Sequence, residues 1–225
     1  MQRHPGLNPL GASAVALIGW LAVGCGGRST FDFPILEEAT PDPPRPDFCG
    51  PPSGSCGAKR CDPPLRDGKH YQLCAPIDYA TNPPTSGPHF PIWGLFKTYE
   101  TPLARGFYLH SAEHSGIILL YNCAELSKEA CDELVSALES YAAEAPQDEL
   151  CVAPTRNRIL VTADPLLDVP YAAVAWGHSL KADCFDRDAT DAFVEAYYGQ
   201  NYENLCSGGI DPTDPESGIE PGCGL

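Results

Sequence analysis

The chain carries six histidines. Three of them fall close together, in two unusual contexts. One is Pro83-Pro84-Thr85-Ser86-Gly87-Pro88-His89, and the other is His110-Ser111-Ala112-Glu113-His114-Ser115-Gly116. Imidazole is the commonest protein metal ligand and the side chain that titrates near neutrality, so this stretch is where chemistry belongs. Spacing then filters what the residues can do. In a strand rising ~3.3 Å per residue, His110 and His114 would share a face but stand about 13 Å apart, too far for one ion. In a helix or a compact turn, positions i and i+4 come within reach of a single ion. Joint ligation therefore predicts a non-extended 110–114, read here as a turn, with a strand beginning only near Gly116. His89 sits on a rigid Gly-Pro-His segment, which suits a preorganised ligand. The expected site is zinc or copper held by His89, His110 and His114, with Glu113 as a fourth ligand or as an orienting partner.

Other chemistries fit less well. His110 to His114 also spells H-x-x-E-H, the motif of inverzincin peptidases. That chemistry needs the motif on a helix, the glutamate as general base and a distant third ligand. The run Gly116-Ile117-Ile118 that follows at once favours a strand instead, and the chain is small for such a peptidase. Ser86 and Ser115 have histidines nearby in sequence, but no G-x-S-x-G elbow occurs, and adjacency in sequence is not geometry. The pattern favours binding over catalysis. The alternative is a structural role, in which the histidines hydrogen-bond backbone carbonyls and fix tight turns. Trp93 and Trp176 read as core anchors, with pocket lining the other option. His178 reads as a surface residue, and His70 has no informative context.

The leader gives the address. Arg3 supplies a positive start, and Ala12 to Val23 is an apolar run broken only by Ser13 and Gly19. The run is shorter than the ~20 residues a spanning helix needs. It ends at Leu21-Ala22-Val23-Gly24-Cys25, which resembles a bacterial lipoprotein signal, although Ala22 stands where leucine is usual. The resemblance implies removal of residues 1–24, lipid on Cys25, and a protein anchored in a membrane facing the periplasm or cell surface. Of eleven cysteines, ten remain once Cys25 is set aside. An exported chain with an even number of cysteines and no CxxC reads as disulfide-bonded, with the pairing left open. The formal net charge of −16 repels phosphate backbones, so nucleic acid is excluded as a partner.

Around the histidines, the elements follow from pattern. Residues 25–47 are a Pro/Gly-rich tether, 48–66 a cysteine-stapled extension, 67–206 a globular domain, and 207–225 an irregular acidic tail. Residues 116–121, 158–163 and 171–176 are short apolar runs and read as strands. A helix is predicted from the Ser127 N-cap to about 143, stopping before Pro146, and another over about 189–198. The order predicts an α+β fold, with a small sheet of three or more strands and two helices on one face.

Asn82 to His89, Trp93-Gly94, His110 to Gly116 leading into a strand that ends at Tyr121, Ala175-Trp176-Gly177 and a terminal helix together resemble the bacterial domain-of-unknown-function 3105 family over roughly residues 70–205. The second motif departs from the family's usual Leu-Glu-His-Gly by a serine, Ser115, read as inserted or shifted. The resemblance implies exported or membrane-attached bacterial proteins and brings no activity with it.

Overall fold

The computed structural model describes residues 48–201, 203–206 and 208–225. The signal peptide, the tether and Cys25 lie outside the described residues. The centre is a mixed five-stranded sheet. Its strands are β1 (Lys59–Cys61), β2 (Ile117–Tyr121), β3 (Ile159–Ala163), β4 (Tyr171–Ala175) and β5 (His178–Ala182), in the order β1-β5-β4-β2-β3. The 17-residue helix α2 (Lys128–Glu144) makes the crossover between β2 and β3, which are therefore parallel; every other pairing is antiparallel. The crossover helix starts at Ser127, whose side chain accepts the Ala130 N–H, so the predicted cap is in place.

The central strands are apolar on both sides because both sides are covered. Ile117 and Leu119 of β2 meet Leu134, Leu138 and Tyr141 of α2 and Phe193 of the last α-helix (Arg187–Tyr197). Ile118 and Leu120 point the other way, toward Phe107, Tyr108, Leu109 and Ala112. Those four belong to a helix of residues Arg105–Glu113. In chain order the helices are thus α1 (Arg105–Glu113), α2 and α3 (Arg187–Tyr197). The α+β sheet is as expected, and the two predicted helices share one face. The addition is α1, which covers the opposite face.

All ten cysteines of the described residues are paired: Cys49–Cys61, Cys56–Cys184, Cys74–Cys223, Cys123–Cys131 and Cys151–Cys206. The first closes residues 49–61 on themselves and the second staples that segment to the body, where β1 becomes the edge strand beside β5. The C-terminal segment packs on the body too. Ile210 forms a bridge with Gly94, and Cys223 is buried in the α1-side core. Five disulfides place the chain in an oxidising, extracytoplasmic compartment. Among the described residues, no helix is long and apolar enough to cross a membrane.

Candidate metal centre

The site is built on the last turn of α1. Residues Gly106 to Glu113 are all buried, because α1 lies between the sheet and the loops of the 70–100 region. Residues 110–113 are helical and His114 is the C-cap, so the stretch is the end of a helix rather than a free turn. The helix ends in a Schellman arrangement: Ser115 N–H donates to Ala112 O, and Gly116 N–H to Ser111 O. Ser115 takes a left-handed φ of 68°, at the position a glycine usually fills. No insertion is needed to accommodate it. Its hydroxyl helps to hold it there, contacting Glu203 O at 3.0 Å and accepting the Asn201 N–H. The chain then reverses directly into β2.

Three elements converge on this turn. His110 and Glu113 come from α1, one turn apart. His89 comes from the rigid Pro-Pro-Thr-Ser-Gly-Pro-His segment. His70 arrives on a strap running between Cys61 and Cys74, pinned beside His89 by a parallel backbone bridge in which His89 N–H donates to Lys69 O and Tyr71 N–H to His89 O. One ligand atom from each of His70, His89, His110 and Glu113 lies within 4.8 Å of all the others. The imidazole rings of His70, His89 and His110 stand 4.5–5.1 Å apart, centre to centre. Trp176 meets His89 edge-on at 5.6 Å. The indole is therefore a wall of the site as well as part of the core.

The hydrogen bonds fix which nitrogen is available. His89 Nδ1 lies 2.9 Å from Gly87 O and His110 Nδ1 lies 2.7 Å from Phe90 O. A carbonyl only accepts, so both Nδ1 atoms carry a proton, and in the neutral ring each Nε2 presents a lone pair. Metal-bound histidines are held this way, with the second nitrogen donating to a carbonyl or carboxylate. His89 Nε2 lies 3.0 Å from Glu113 Oε2. The two are not aligned as a hydrogen bond, and among the described residues this fully buried nitrogen has no hydrogen-bond partner. Burial pushes His110 down to about 3, so its ring is neutral at ordinary pH. Gly68 makes room for the carboxylate. A Cβ there would come within 2.2 Å of Glu113 Oε1 and 3.2 Å of Trp176.

Three of the four expected residues, His89, His110 and Glu113, thus come together. His114 stands aside. Its ring stacks on His110 at 4.7 Å and packs against Trp93 at 4.2 Å, with Nδ1 3.4 Å from Glu203 Oε2. Burial pushes it down to about 4. The inverzincin arrangement is not formed, since that motif uses both of its histidines on one ion. His70 takes the fourth place, and no local motif announced it. Its only signal was to be one of the few histidines outside the leader, on a segment bounded by cysteines. His178 lies elsewhere, stacked on Tyr197 at 4.0 Å and 2.6 Å from Asp62 Oδ1.

Residues 70–208 match the model of DUF3105, described as proteins of unknown function. The chain belongs to the DUF3105 family. The match spans every element that builds the site, from His70 through α1, β2 and the β4–β5 hairpin to α3. No curated protein and no solved structure shows significant similarity. The DUF3105 assignment therefore names the fold unit without naming its chemistry, and the side-chain geometry has to carry the functional reading.

Proposed function

We propose that this DUF3105 protein is an envelope lipoprotein, anchored through lipid on Cys25, whose domain binds a divalent metal ion through His70, His89, His110 and Glu113. The observation that carries the reading is the His89–Glu113 contact. A buried lone pair and a carboxylate oxygen 3.0 Å apart repel each other unless a cation or a proton lies between them, and burial makes that repulsion costly. The donor set is three imidazoles and one carboxylate. The cysteines of the described residues are all in disulfides, so none offers a thiolate. Imidazole with a carboxylate suits zinc or copper(II). The competing reading, a purely structural network, accounts for the Nδ1 bonds of His89 and His110 but leaves His89 Nε2 without a hydrogen-bond partner among the described residues.

The test is titration of the oxidised protein with zinc and copper(II), alongside Glu113→Gln, His110→Ala and His114→Ala. The expected result is one tight ion in the wild type, retained by His114→Ala and lost by Glu113→Gln and His110→Ala. The glutamine is nearly isosteric, so it separates ligation from folding. Equal binding by all four proteins would sink the metal reading and leave the histidines as turn fixers.

Gly68→Ala gives a second check. The added methyl group displaces the Glu113 carboxylate without touching a histidine. Metal affinity is expected to fall about 10–100-fold, the usual cost of disturbing a ligand's support. The thermal midpoint should barely move, because the backbone at Gly68 has no left-handed φ and alanine restricts the unfolded chain. Unchanged affinity would place Glu113 outside the coordination sphere.

A further inference from the structure

We infer that His70 is a displaceable cap, and that His89, His110 and Glu113 form a fixed triad that leaves the ion one position for a small exogenous ligand. This rests on the metal reading above and deepens it. The asymmetry among the four residues carries the inference. His89, His110 and Glu113 are 0%, 3% and 2% exposed, whereas His70 is exposed. The two buried histidines are locked by backbone carbonyls at Nδ1, and the Glu113 carboxylate lies against Gly68. Among the described residues, His70 shows ring contacts to its neighbouring histidines and a backbone bridge, and no side-chain hydrogen bond.

Two consequences follow from that placement. Solvent and solutes reach the ion from the side of the His70 ring, since the other three donors are enclosed. Rotation of that exposed ring opens a coordination position without disturbing the triad. Two histidines and one carboxylate with open positions are the arrangement that lets a bound ion take up a further small molecule. A closed structural site instead surrounds its ion with four fixed ligands. The ligand class is therefore a small donor able to pass an imidazole-sized opening, with azide and imidazole as working probes.

Cobalt(II) in place of the native ion makes the coordination sphere visible through its absorption bands. The wild type and His70→Ala would each be loaded with cobalt and titrated with azide, and His70→Ala also with imidazole. We expect both proteins to hold cobalt. Azide should shift the bands of both, at lower concentration in His70→Ala, and imidazole should return the variant's spectrum toward that of the wild type. If His70→Ala loses the ion altogether, His70 is a fixed ligand and the inference falls while the metal reading stands. Spectra insensitive to azide in both proteins mean a closed site and overturn it equally. Failure of the wild type itself to bind cobalt, zinc or copper removes both readings. The exposed position of His70 means that its replacement leaves the core intact, so loss of metal cannot be attributed to misfolding.

Discussion

Asp164→Ala is expected to destabilise the protein by about 3–5 kcal/mol, the cost of breaking a buried ion pair from one side. Asp164 follows β3 directly and its side chain is 3% exposed. It accepts the hydroxyl of Tyr108 at 2.9 Å, Arg105 Nε at 2.9 Å and the Leu166 N–H at 3.0 Å. Tyr108 is completely buried, and burial together with the Asp164 carboxylate holds its phenol far above the ordinary range. Removing the carboxylate leaves that hydroxyl and a largely enclosed guanidinium without their acceptor. Asp164→Asn keeps an acceptor and should cost less. Denaturant midpoints with an unchanged slope give the measurement. A midpoint for the alanine variant equal to wild type would show that water can replace the carboxylate there. The effect should reach the metal centre as well. Tyr108 and Arg105 stand on the same helix as His110 and Glu113, and Arg105 also donates to Asn82 at the start of the proline-rich segment that carries His89.

Replacing Cys74 and Cys223 together by serine is expected to cost about 2–5 kcal/mol. The bridge joins residues 149 apart in sequence. Cys151–Cys206 cuts across that loop and shortens the effective path, but the dependence on loop length is logarithmic and most of the stabilisation survives. The bridge also ties down the segment that presents His70. The control is Cys123–Cys131, which spans only 8 residues at the start of α2 and should matter least. Thermal midpoints of the two double variants decide the point. A smaller loss for Cys74/Cys223 than for Cys123/Cys131 would refute the loop-closure account.

Much of this architecture was legible in the residues, and the parts that were not share a physical cause. The strands at 117–121, 159–163 and 171–175 and the helix from Ser127 announced themselves because continuous apolar runs and a capped amphipathic period are strong local signals. Helix α1 gave no such signal. It is buried from Gly106 to Glu113, so its sequence has no polar face to mark a period, and no side chain caps its start at Ala104. Strand β5, with Lys181 and His178 among its five residues, is too polar and short to stand out. Missing α1 meant reading 110–114 as a turn, although the demand that it be non-extended was correct. The choice of His114 over His70 follows from the same limit. Spacing along a chain identifies neighbours on one element. His70 reaches the site through a backbone bridge to a residue nineteen positions away, a contact that no local pattern encodes.

The pairing of the cysteines has a consequence for how the molecule matures. Along the described chain they emerge in the order 49, 56, 61, 74, 123, 131, 151, 184, 206, 223. Only Cys123 and Cys131 are joined as neighbours in that order. Cys49 must pass over Cys56 to reach Cys61, and Cys56 must wait for Cys184. An oxidant that linked thiols as they crossed a membrane would trap Cys49 on Cys56 and leave the edge strand unstapled. Reaching the native set from there requires thiolate attack on a disulfide already made. A non-native first bridge of that kind is undone by thiol–disulfide exchange and not by further oxidation.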